Sequence, residues 1–161
     1  MKQLSILFCI PFMACHTPAP TTTVNSGTSE TAKAEKVNSE IKSIEFRTGS
    51  RGYNRQILFT KDSVKLVINS MRDEDPSRNT TTALKTEEWN KLISSLQGVD
   101  VHQLNKLKSP TMNRAVDAAD GSTIAVTTDK ESSHSFDNLD PDQQLKKLLE
   151  VVLEIEKDRK K

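Results

Sequence analysis

Apolar and polar residues alternate at Ile44, Glu45, Phe46 and Arg47, the period-two signature of a strand with one buried face. Residues 48–52, Thr-Gly-Ser-Arg-Gly, are expected to form a loop, and two β-rich runs follow at 56–60 and 63–68 around Lys61-Asp62, which predicts a hairpin. From Met71 to Thr82 the chain is charged and polar and is expected to be an exposed loop. The period then changes. Trp89, Leu92, Ile93 and Leu96 recur at i, i+3, i+4 and i+7, which predicts a helix with Thr86 as its N-cap, Glu87 and Glu88 at the positive end of its dipole, and Gly98 ending it. Val101, Leu104 and Leu107 predict a further short turn before Ser109-Pro110. Residues 122–128 form a fourth strand, and Asp129-Lys130 turns it into a fifth at 132–136. A final helix is capped by Asp140, with Pro141 at its first position, and carries the stripe Leu145, Leu148, Leu149, Val152 and Ile155. Lys157, Arg159, Lys160 and Lys161 suit its negative end. The order βββαββα with hairpin-like links predicts an α+β domain, a mainly antiparallel sheet of about five strands with two amphipathic helices on one face.

The start of the chain has a different pattern. Lys2 precedes a short apolar run, Leu4, Ile6, Leu7, Phe8, Cys9, Ile10, Phe12 and Met13, that ends at Ala14-Cys15. A charged start, a brief apolar core and a small residue before the cut describe a secretory signal. Phe12-Met13-Ala14-Cys15 resembles the lipobox of bacterial lipoproteins, with Phe12 and Met13 bulkier than the usual residues. The resemblance implies a lipid on the Cys15 thiol and cleavage immediately before it. Cys9 is preceded by Phe8, where cleavage needs a small side chain. An ordinary cleaved secretory signal and a buried N-terminal helix are the alternative readings.

Residues 16–42 contain Thr-Pro-Ala-Pro-Thr-Thr-Thr, then Asn, Ser, Gly, Thr, Ser and Glu, with almost no large apolar side chains. Such a segment buries too little surface to offset its ordering entropy. It is expected to be a tether of roughly 27 residues with a reach of about 30 Å. The expected organisation is a signal peptide at 1–14, a lipidated cysteine and tether at 15–42, and one domain at 43–161. Cys9 leaves with the signal and Cys15 is alkylated, so no thiol remains to pair. Position two of such a mature chain is His16 rather than Asp, and within the lipoprotein family this leans towards the outer membrane, leaflet undetermined.

Charge and composition narrow the function classes. The chain has 161 residues, with Lys+Arg 23 against Asp+Glu 22, far from the basic excess that phosphate-backbone binding requires, so nucleic acid is not an expected partner. No apolar run approaches the roughly 20 residues of a membrane-spanning helix. The expected membrane contact is the lipid on Cys15. His16, His102 and His134 are scattered, and Asp137-Asn138-Leu139-Asp140-Pro141-Asp142 lacks the glycine and distal glutamate of an EF-hand loop, so neither a metal nor a cofactor is expected. Gly49-Ser50-Arg51-Gly52 has the glycines of an anion cradle without the Gly-Lys-Ser/Thr that follows in a phosphate loop; a connecting loop is the expectation. Ser133, His134 and Asp137 supply the residue types of a hydrolase, but alternation puts Ser133 and His134 on opposite faces of one strand.

Arg114 and Asp117, three residues apart, are the candidate contact for an anion or partner, with a local ion pair organising the connection as the alternative. The segments Leu107-Lys108-Ser109-Pro110-Thr111, Arg114, Asp117-Ala118-Ala119, Ser135-Phe136-Asp137 and Pro141 resemble a group of small secreted or lipid-anchored bacterial proteins over about Ile44 to the end of the chain. That resemblance implies fold and compartment and carries no activity. The expectation is a membrane-anchored envelope lipoprotein acting as a non-enzymatic binding or assembly module for an envelope protein or peptide. The alternative is a small extracytoplasmic hydrolase or other enzyme using a His134, Asp137 and Arg114 pocket.

Overall fold

A computed structural model describes residues 41–71, 76–111 and 120–159. Six strands, β1 (Ser43–Ser50), β2 (Tyr53–Thr60), β3 (Ser63–Ser70), β4 (Arg78–Ala83), β5 (Gly121–Thr127) and β6 (Glu131–Asp137), form one sheet in the order β4-β3-β2-β1-β5-β6. Every neighbouring pair is antiparallel. Helix α1 (Thr86–Ser95) and a 3-10 turn (Val101–Lys106) lie in the sequence between β4 and β5; a 3-10 turn (Gln143–Leu145) leads into α2 (Lys146–Arg159). β1 to β4 form a meander, after which the chain crosses the sheet to place β5 on the free side of β1. The first strand thereby becomes a central one.

Pleating divides the sheet into two chemically different faces. Ile44 lies opposite Phe59 on one side and Val126 on the other, and Phe46 lies opposite Ile57 and Ile124. These six side chains are at most 1% exposed and share one core with Trp89 and Leu92 of α1, Leu96 at its C-cap, and Leu148, Leu149, Val152 and Ile155 of α2. Fully burying each large apolar side chain contributes about 1.5 to 3 kcal/mol. The helices therefore belong to one face, and the α+β class follows.

Several expectations change. The sheet has six strands rather than about five, and the order is ββββαββα, because part of the expected loop from Met71 to Thr82 is β4. Its residues Arg-Asn-Thr-Thr-Thr-Ala are exposed from Asn79 to Ala83, so no buried face imposes an apolar alternation. Backbone pairing with β3 and three β-branched threonines make it a strand. The expected loop at 48–52 shrinks to the two-residue turn Arg51-Gly52, with Gly52 at φ 77°. The N-cap of α1 is Lys85, one residue before Thr86, with its backbone N–H donating to Glu88 Oε2 at 2.9 Å. Gly98 follows α1 at φ 81°. Asp142 caps the 3-10 turn, its carboxylate accepting from Gln144 N at 3.0 Å, and the final α-helix starts only at Lys146 rather than at Pro141, whereas Asp140 pairs with Lys146 at 3.0 Å. Ile41, two residues before Ser43, is 8% exposed and joins the core.

Candidate functional site on the open face of the sheet

Opposite the helices, register assembles polar side chains into cross-strand rows. Asn69 lies opposite Asn54, Asn54 opposite Gly49, and Gly49 opposite Gly121. The next row runs Val67, Gln56, Arg47 and Thr123, and the one beyond it Lys65, Leu58, Glu45 and Ala125. Two consecutive positions of the first row thus carry no side chain. A depression of about 660 Å³ opens there, with Arg47, Asn54, Asn69, Ser77 and Thr123 among its walls and Met71, 91% exposed, at its rim.

The two glycines of that row have different origins. A Cβ on Gly49 would stand 2.8 Å from the Tyr53 carbonyl oxygen, so the tight β1–β2 hairpin excludes any side chain. A Cβ on Gly121 would meet nothing within 4 Å, and that glycine leaves space over the sheet. Ser77 fixes the neighbouring strand end: its hydroxyl accepts from Ser70 N at 2.9 Å and donates to Ser70 O at 3.1 Å.

Arg47 is positioned by Glu45. The guanidinium donates through Nε at 2.6 Å and Nη2 at 2.5 Å to the two carboxylate oxygens, and Gln56 Nε2 donates to the same carboxylate. Glu45 is only 7% exposed although it sits on the open face, because these two neighbours cover it. Its hydrogen bond raises the Arg47 pKa above the ordinary guanidinium value, offset by partial desolvation and helped by the charges of Glu45 and Glu131. The pair leaves little net charge, while guanidinium N–H groups beyond those bound to Glu45 remain as donors. Two carboxamides, hydroxyls and backbone complete a surface that matches uncharged polar groups such as peptide amides.

Of the residues singled out from the sequence, Gly49, Ser50 and Gly52 line the depression, while the described His134 and Asp137 do not. Cys15, Arg114 and Asp117 are outside the described residues. His134 is 3% exposed on the core face of β6, stacked on Phe136 with ring centroids 5.6 Å apart, and its Nε2 accepts from Asp142 N at 3.3 Å. Asp137 is fully buried at the end of the same strand, where Thr111 Oγ1 donates to Oδ2 at 2.8 Å. Three positions apart on one strand, these two side chains start from opposite faces. His102 is exposed in the 3-10 turn. Among the described residues no group of three or more His, Cys, Asp or Glu side chains is placed to hold a metal, and no helix is long and apolar enough to cross a membrane. The depression itself escapes sequence reasoning, since Asn54, Asn69 and Gly121 are distant polar positions until register aligns them. The available signal was weak: each lies near the end of a strand with a clear apolar phase. No protein-family model matches the chain, and no curated protein matches it either.

Proposed function

We propose that this chain is a lipid-anchored bacterial envelope protein whose α+β domain is a non-enzymatic binding or assembly module, receiving an envelope protein or peptide on the open face of its sheet. The observation that carries this reading is the polar depression over Gly49 and Gly121, where side chains are withheld and hydrogen-bonding groups converge. Its described lining contains Arg47, two Asn, Tyr53, and Ser and Thr hydroxyls, but no His, Cys, Asp, Glu or Lys. Hydrogen-bonding recognition fits that inventory better than proton transfer.

The anchoring part of the proposal rests on Lys2, the apolar run and Ala14-Cys15, and the outer-membrane assignment on His16. Several acyl chains, at about 0.8 kcal/mol per buried methylene, would hold the protein permanently. A tether reaching about 30 Å would let the domain meet partners near that membrane. The test is a photo-crosslinking residue at Asn54, compared with one at the exposed Lys147 on α2. A discrete adduct from Asn54 that disappears when Gly121→Trp fills the depression is the expected result. Equal adducts from both positions, or one insensitive to Gly121→Trp, would exclude this face.

A further inference from the structure

The sheet has two edges, and among the described residues only one is covered by the chain's own backbone. Along β6, Leu104 N donates to Ser132 Oγ at 3.1 Å and Thr111 Oγ1 to Asp137 at 2.8 Å, so the segment between Leu104 and Thr111 is tied to both ends of that strand. β4, by contrast, is exposed at five consecutive residues, Asn79 to Ala83. Natural edge strands are usually blunted by charge, proline or a bulge. From Asn79 to Ala83 none of the three is present.

The direction of the β4 backbone groups follows from the ladder. Leu84 N donates to Asp62 O at 3.0 Å, which makes 84 and 62 a hydrogen-bonded pair. Antiparallel alternation then assigns Thr82, Thr80 and Arg78 to Val64, Leu66 and Ile68 in the same way. Met71 N to Gly52 O at 2.9 Å gives the complementary phase on the other side of β3, where the odd residues serve β2. The N–H and C=O groups of Asn79, Thr81 and Ala83 therefore face outward. One of them is already engaged, because Arg159 Nη2 donates to Ala83 O at 3.3 Å.

The geometry points to β4 as a two-fold pairing edge for a second copy of this chain, extending the sheet from six strands to twelve. With Thr80 facing Thr80 of the other copy across the axis, Asn79 and Thr81 exchange N–H to O bonds with Thr81 and Asn79 of that copy. Four backbone hydrogen bonds result, and the Ala83 carbonyl stays with Arg159. The strand is its own complement: the paired positions are Asn and Thr, β-branched threonines meet across the axis, and no charge enters the centre. Arg159, beside Thr82 at the end of the contact, has its charge taken up by Glu88 at 2.7 Å.

The experiment uses the full chain with Cys9 and Cys15 replaced by serine, so that Thr80→Cys is the only thiol. In a non-hydrogen-bonded pair the two Cα atoms lie about 4.5 Å apart, within disulfide range. Mild oxidation is expected to give a covalent dimer from Thr80→Cys and none from Lys65→Cys on the open face. Sedimentation should show a concentration-dependent dimer without the added cysteine. Thr81→Pro removes only an outward N–H and should weaken self-association about thirtyfold, since two symmetry-related hydrogen bonds are lost. Thr81→Lys, which needs no change of backbone, should do the same by placing like charges near the axis. A chain that stays monomeric at every concentration, or a dimer that both Thr81 variants leave intact, would overturn the proposal.

Discussion

Two ion pairs join α1 to α2, and their different burial separates what a salt bridge contributes from how many there are. Arg159 and Glu88 are 17% and 18% exposed, bound through both guanidinium Nη atoms at 3.1 and 2.7 Å, and Arg159 also reaches Thr82 Oγ1, Ile155 O and Ala83 O. Lys91 and Glu154 are 58% and 59% exposed at 3.4 Å. An exposed pair contributes about 0.2 to 1 kcal/mol, and breaking a buried one costs about 3 to 5. Arg159→Met, which keeps the aliphatic stem, should therefore destabilise the domain by about 2 kcal/mol, roughly 8 °C in melting temperature. A double-mutant cycle with Glu88→Gln should give a coupling of about 1 to 2 kcal/mol, against less than about 0.5 for Lys91→Met with Glu154→Gln. Acid should erase the difference. The Arg159 hydrogen bond holds the Glu88 carboxyl below its ordinary pKa, against desolvation and with help from the Lys85 backbone N–H. A lowered folded-state pKa contributes stability that is complete above the unfolded value of about 4.3 and is lost as pH falls through the folded one. Urea denaturation followed by Trp89 fluorescence at pH 7 and pH 3 reads all of this. Equal couplings for the two pairs, or an Arg159–Glu88 coupling unchanged at pH 3, would show that burial does not set what this ion pair contributes.

Three further perturbations follow from the same structure. Arg55 donates through Nη1 to both oxygens of Glu156 at 3.1 Å and lies 5.5 Å from the Phe46 ring centre, so Arg55→Met should cost about 2 to 4 kcal/mol by chemical denaturation. The two glycines of the open face should respond oppositely: Gly49→Ala forces a Cβ to 2.8 Å from the Tyr53 carbonyl and should cost about 1 to 3 kcal/mol, while Gly121→Ala should stay within about 0.5 in calorimetry. The corrected cap predicts a loss of about 1 kcal/mol for Asp142→Ala and less than half of that for Asp140→Ala, a ranking that thermal melts of the two variants decide.

What the sequence made legible was the part of the fold with one dry side. Ile44 and Phe46, the hairpin around Lys61-Asp62, and the helical stripes Trp89-Leu92 and Leu148-Val152-Ile155 each carry an apolar period, and each lies in an element of the expected type. β4 was not legible because both of its faces are wet. Backbone pairing with β3 and the Arg159 hydrogen bonds to Thr82 and Ala83 hold it, and its threonine run was the one trace. The caps moved by one or two residues because Asp140, Asp142, Lys85 and Thr86 all have groups that can serve a helix end, and the choice depends on where the chain enters. Glu45 read as a solvent-facing residue and is buried by Arg47 and Gln56, a cross-strand effect with no local signal. The candidate site belongs to the same class. Asn69, Asn54, Gly49 and Gly121 form a row only after four strands are in register.

Anchoring and surface recognition stand together in the proposed function, and Cys15 is where the account is most exposed to disproof. The decisive measurement is the intact mass of the protein from the membrane fraction, beside a Cys15→Ala variant expressed in the same way. The expected mass is that of the chain beginning at Cys15 plus its acyl groups, with both the added mass and membrane retention lost in the variant. An unmodified chain in the soluble fraction would contradict it and return the domain to a diffusible role.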